Sequence, residues 1–277
     1  MSSNIGKPHS EVNLGSDACK SSAYGDKTLG RKLGEASFEG LATFLFMCAI
    51  YFSKGRIEIF IFGMWVILSC FGGISGAHVN PAITLGFYAI QGDYFHGLTK
   101  LFLYTVFQML GCVLGALLAY YLILEEIIYI QPYEGVSTGN IFFSEFFFTG
   151  TFFFFIAFVC HEKHPPSTIV PVNTGIIVSW FYLIVNAGSK LSGAAFNPAV
   201  LITLNALARF GANKLQAFSN VWIMVAAELL GVLVFAYIYK LLFVPFYEFT
   251  HATNATKKKS DEAEGERERL LSLKNLA

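Results

Sequence analysis

Six long stretches of this chain are apolar at nearly every position, and the polar residues are pushed to the gaps and the two ends. The stretches cover residues 38–53, 58–71, 101–124, 141–160, 168–186 and 217–246. A hydrocarbon core of ~30 Å takes about 20 helical residues at ~1.5 Å each, so runs of this length predict membrane-crossing helices. The second run is short for a span and is expected to continue through Gly72 and Gly73. Residues 1–33 are rich in Ser, Gly, Lys and Asp with no apolar period. Residues 247–277 hold Lys257-Lys258-Lys259 and then mixed charge. These ends are read as a disordered N-terminal tail and a solvated C-terminal tail, both cytosolic, around a membrane domain at 34–246.

Two shorter apolar segments follow a repeated motif. Ser75-Gly76-Ala77-His78-Val79-Asn80-Pro81-Ala82 returns as Ser192-Gly193-Ala194-Ala195-Phe196-Asn197-Pro198-Ala199. Asn is a favoured N-cap, because its side-chain oxygen accepts from an unpaired N–H of the first turn. Pro suits the first helical position, where its missing N–H costs nothing. Each motif therefore predicts a helix start, with helices at 81–90 and 198–208 that reach only half-way across a bilayer. The preceding segments, 72–77 and 186–193, are small and Gly-rich. Irregular backbone at membrane depth is tolerated where it is buried in protein or lines a wet cavity. Carbonyls there are expected to serve as acceptors for a permeating molecule.

The duplication extends further. Glu39 lies early in the first span and Glu145 early in the fourth; Gln108-Met109-Leu110-Gly111 matches Glu228-Leu229-Leu230-Gly231. Residues 36–124 and 141–246 thus form two halves of three spans each. Three is odd, so the halves insert in opposite orientations, a way to build a site at the bilayer midplane. The predicted fold class is an all-α polytopic membrane protein of six transmembrane helices plus two re-entrant half-helices, in inverted three-helix repeats. Ionisable residues inside a membrane are costly and need a role. Glu39 and Glu145 are expected to accept hydrogen bonds from the re-entrant loops. Gly111 and Gly115 form a small-xxx-small pattern that permits close helix contact.

Charge sets the orientation and removes some functions. With both termini in the cytosol, fourteen Lys and Arg face inward and five outward, as the positive-inside rule requires. The membrane itself, plasma or internal vacuolar, stays open. The sequon at Asn254 is then cytosolic and expected to be unused. The polar N-terminus predicts no cleaved signal peptide. Net charge is zero, with no basic cluster in the folded region, so nucleic acid is not an expected partner. The five cysteines have no metal-ligand spacing; those in or near spans are expected to be buried, and no cofactor is implied. No catalytic triad or phosphate-binding loop is present, so an enzyme is not expected. His161 and His164 fall in a loop between the fourth and fifth spans. Histidine titrates near neutral pH, so they are candidate gating residues, beside the plainer reading of a solvated turn stiffened by Pro165 and Pro166.

With both Asn-Pro-Ala copies, Glu39, Glu145 and the Gln108 segment in place, residues 34–246 resemble the aquaporin (major intrinsic protein) family. The resemblance implies an aquaporin-like fold, a pore in each subunit and a homotetramer in the lipid bilayer. It implies a constriction at Asn80, Pro81, Ala82, Asn197, Pro198 and Ala199, with Glu39, Glu145 and His78 supporting the loops. By spacing it places a narrow selectivity filter at Phe60, Val185, Ala194 and Val200. The family usually has Arg where Val200 stands, and glycerol-conducting members usually have Asp where Leu201 stands. The filter is therefore apolar, with Phe60 its one large group. The function implied is a passive channel for water, and for small neutral solutes through the widened ring. Two alternatives remain open: a gated or mainly structural non-conducting protein, and a facilitator for ammonia, urea or polyols with little water flux.

Overall fold

The computed structural model describes residues 28–92, 94–123, 127–161 and 163–275. Its α-helices are α1 (Leu29–Phe52), α2 (Ile57–Ser75), α3 (Pro81–Gln91), α4 (Tyr94–Ile123), α5 (Thr138–Val159), α6 (Val170–Gly188), α7 (Pro198–Ala206), α8 (Val221–Ile238) and α9 (Val244–Asn275). A π-helical turn, Leu207–Gly211, and a 3-10 turn, Leu215–Phe218, lie between α7 and α8; a second π turn, Tyr239–Phe243, precedes α9. Among the described residues, no strand is present. Six helical runs are long and apolar enough to cross a membrane: α1, α2, α4, α5, α6 and the run containing α8. The chain is a multi-pass membrane protein, with α3 and α7 as the two half-length helices.

The chain divides into two compact units, Met1–Ala236 and Tyr237–Ala277. In the first, α1 packs on α2 and α4, α5 packs on α6, and α2 meets α6 across the two halves. The half-helices α3 and α7 both lie against α4 and touch each other. Missing side chains make the tightest of these contacts possible. A Cβ on Gly111 would run into the carbonyl of Gly40, and one on Gly115 would sit 2.5 Å from the carbonyl of Phe44. In the other half, a Cβ on Gly231 would collide with the carbonyl of Phe146. Bare backbone at these crossings brings α1 against α4, and α5 against α8.

The helix ends depart from the sequence reading where polar residues take part. Helix α1 begins at Leu29, not at residue 38, because its first turns are polar and held by charge. Glu35 pairs with Arg31 at 3.0 Å and with Lys100 at 3.1 Å. Hydropathy registers only the apolar turns that follow. Residues 29–33 are therefore helix; the rest of the expected disordered tail lies outside the described residues. Helix α2 runs on through Gly72 and Gly73 to Ser75, where Gly76, at φ +98°, ends it with a bond from its N–H to the Gly72 carbonyl. In the second unit, α9 carries through the segment read as a solvated coil. Its composition favours helix, and Lys258 and Glu262 face each other one turn apart at 3.9 Å.

Candidate functional site

Two asparagines start the half-helices and join them. Asn80 Oδ1 accepts from Ala82 N at 2.9 Å, and Asn197 Oδ1 accepts from Ala199 N at 3.0 Å. Each cap is followed by Pro at the first helical position. The other end of each carboxamide reaches across. Asn80 Nδ2 donates to the Phe196 carbonyl at 2.7 Å, and Asn197 Nδ2 donates to the Val79 carbonyl at 2.9 Å. The two N-termini thus meet, each capped by a side chain that also grips the opposite loop. A primary amide has two N–H groups, so one remains on each for another acceptor. The dipoles of α3 and α7 add a positive potential from both sides.

The loops feeding these caps share one unusual backbone course. In the first, Gly76, Ala77 and Val79 have φ of +98°, +46° and +46°; in the second, Gly193, Ala194 and Phe196 have +93°, +60° and +48°. Non-glycine residues held this way cost about 1–3 kcal/mol each and persist only where surroundings fix them. Buried carboxylates do the fixing. Glu39 Oε1 accepts from Ser75 Oγ (2.7 Å) and His78 N (2.9 Å); its Oε2 accepts from Val79 N (2.9 Å) and Gln108 Nε2 (3.0 Å). Glu145 accepts from Ala195 N at 3.1 Å and Phe196 N at 2.9 Å. Glu228 Oε1 accepts from Asn197 N at 3.1 Å. The left-handed turns aim these N–H groups at the carboxylates. His78 is buried, with Nδ1 3.2 Å from Thr84 Oγ1 and its ring stacked on Phe87 at 4.8 Å.

A cavity of about 410 Å³ runs past this junction. Ser53, Gly55 and Ile57 line it, as do Cys160, Val170 and Asn173, and both Asn80 and Asn197. Phe60, Val185, Ala194 and Val200 all line it, as do His78 and Ala195. Pro81, Ala82, Pro198 and Ala199 instead form the buried first turns of α3 and α7. Val200 turns a buried isopropyl group to the cavity, while its N–H points at Asn197 Oδ1, 3.5 Å away. Phe60 is set edge-on to Phe46 (5.2 Å) and Phe181 (6.2 Å).

Several expectations change. The Gly72 carbonyl accepts from Gly76 N at the end of α2, and the Gly188 carbonyl accepts from both Leu191 N and Gly193 N. Gly72, Gly76, Ala77, His78 and Val79, and Gly193, Ala194 and Ala195, line the cavity. His161 is buried, not solvated, with Nδ1 accepting from His164 N at 3.2 Å and the two rings stacked. Neither histidine lines the cavity. Cys70 is exposed, unlike Cys48 and Cys112. The sequence reading missed Phe46 and Phe181, whose place on the cavity is hidden among many phenylalanines. It also missed Asn205, buried on α7 and bonded to Ile130 and Ala217.

Two inverted three-helix halves, closed around opposed half-helices that border a cavity, define a channel-type membrane fold. The family model described as Major intrinsic protein matches residues 35–239, and the chain belongs to this family of membrane channels. It is 32% identical over 190 residues to Aquaporin TIP1-1 of Arabidopsis thaliana, covering 66% of this chain and 69% of that one. A probable TIP-type aquaporin of Medicago truncatula is 28% identical over 186 residues, with the same coverage of 66% and 69%. Among solved structures, the aquaglyceroporin from Plasmodium falciparum superposes with a TM-score of 0.65 at 21% identity, over 80% of this chain and 100% of that one. That likeness concerns the fold.

Proposed function

We propose that the chain conducts water passively, together with small neutral solutes, through the cavity of each subunit, with its polar constriction at Asn80 and Asn197. The observation that carries this reading is the cavity itself, lined by both asparagines, each with one carboxamide N–H beyond its bond to the opposite loop. A water oxygen accepting from both asparagines has its own hydrogens turned toward the two loops. Donors placed this way break a proton wire, and the half-helix dipoles oppose cations. No bond is made or broken, so flux follows the gradient. Both termini lie in the cytosol, and four copies assemble in the bilayer.

A second reading rests on Val200. Without a cationic donor at the ring, a water there gives up hydrogen bonds that Phe60, Val185 and Ala194 do not replace. Val200 in place of a long Arg side chain also widens the ring, which then admits ammonia, urea and short polyols.

Stopped-flow shrinkage of proteoliposomes separates the readings. Fast water flux with low activation energy is expected for the unmodified protein, and flux at the empty-liposome level would overturn the water reading. Val200→Arg is expected to cut urea flux severalfold while retaining water. Water flux that rises only in Val200→Arg would identify the apolar ring as the barrier and favour the solute reading.

A further inference from the structure

Between α4 and α5, residues 127–133 run beside the second re-entrant loop and border the cavity. Ile128, Tyr129 and Ile130 line the cavity there, next to Gly193, Ala194 and Ala195 of the second re-entrant loop. A segment with no helix or strand of its own needs outside partners for its backbone, and one buried side chain supplies them. Asn205 Oδ1 accepts from Ile130 N at 3.0 Å, and its Nδ2 donates to Ile130 O at 2.8 Å and to Ala217 O at 2.6 Å. The carboxamide thus pairs with both backbone groups of Ile130, as a neighbouring strand would. It spends both of its N–H groups in doing so. Further along, Tyr133 N donates to Leu191 O at 3.0 Å. The fit is close: a Cβ on Gly193 would come within 2.6 Å of the Gln131 carbonyl. Asn205 sits on the same half-helix as Val200, about one and a half turns on.

We infer that the segment 127–133 forms one wall of the selectivity filter, and that Asn205 is the positioning residue that holds this wall against Ala194 and Ala195. The inference rests on the cavity being the conducting path. The ring of Phe60, Val185, Ala194 and Val200 contains one large side chain, so its four members alone leave a wide opening. Ile128 to Ile130 narrow it, and Asn205 fixes by how much. The size limit for uncharged solutes is then set by a backbone placement that the four filter side chains do not encode.

The test compares urea and water permeability in the same vesicles, for the unmodified protein and for Asn205→Ala. A loss of folded channels lowers both fluxes together and leaves their ratio fixed; a displaced wall changes the ratio. The urea-to-water ratio is expected to rise about fivefold, or about 1 kcal/mol of relative barrier at ~1.36 kcal/mol per decade. An unchanged ratio with retained flux would overturn the inference. If Asn205→Ala does not assemble, Ile128→Cys decides, with flux read before and after a charged, membrane-impermeant thiol reagent. Block beyond that of the equally treated unmodified protein is expected; full labelling without block would overturn the wall. Absence of any flux in the unmodified protein would remove the conducting-path reading and the inference with it. Normal flux with an unaltered ratio and unblocked Ile128→Cys would remove only the inference.

Discussion

Glu39 satisfies four donors with two oxygens, three of them from the first re-entrant loop. Each buried donor left unpaired costs about 1–3 kcal/mol, so Glu39→Ala is expected to prevent stable assembly, read as loss of the monodisperse peak in detergent gel filtration. The second half handles the equivalent place differently. Where Gln108 donates to Glu39, the matching position is Glu228, which faces Glu145 and accepts from Asn197 N. Glu228→Gln keeps that acceptor and adds an Nε2 donor for Glu145, copying the first half. It is expected to retain thermal stability in detergent, whereas Glu228→Ala is expected to lower it. The two asparagines, Glu39 and Glu145 were legible in the sequence because their chemistry is local or duplicated. Asn205 was not: its partners lie at Ile130 and Ala217, and no repeat marks it. The place of Val200 on the cavity was implied by the family resemblance, which puts a filter position right after the second Asn-Pro-Ala, while that of Phe181 needed the packed structure.

At the level of helices, hydropathy located all six crossings because a long apolar run has few other uses. It could not place the ends, which depend on single polar contacts. Glu35 extends α1 through two ion pairs, and Gly76 stops α2 with a left-handed turn. Helix α9 arises from propensity and charge spacing, which apolar patterning does not sense. The α1–α4 crossing was visible only as a glycine pattern; how closely the backbones meet was not. Gly111→Ala places a methyl against the Gly40 carbonyl, and overpacking of this kind costs about 1–3 kcal/mol. A lower thermal midpoint in detergent is expected, with a larger drop for Gly111→Val.

For the molecule as a whole, the proposed conduction leaves charge exclusion to Asn80 and Asn197, since Phe60, Val185, Ala194 and Val200 carry no charge. Asn80→Asp puts a carboxylate where two helix dipoles converge and removes the donor to Phe196. A cation leak is expected, measured as potassium-driven dissipation of a membrane potential in proteoliposomes; unchanged tightness would show that exclusion lies elsewhere. The inverted architecture could be read from the odd number of spans in each repeat. The width of the passage could not, because it depends on where the 127–133 segment and the four filter side chains settle.

The crossed grip of the two asparagines also bears on how the chain is made. Asn80 and Phe196 are 116 residues apart, and Val79 and Asn197 are 118 apart. While the first half leaves the ribosome, the Asn80 amide and the Val79 carbonyl have no counterpart, and they wait until most of the protein has been translated. Insertion of the early helices therefore precedes closure of the centre, and the last half-helix to be synthesised locks both. Two separately translated halves, split within the α4–α5 connection, should each insert yet acquire protease resistance only when made together.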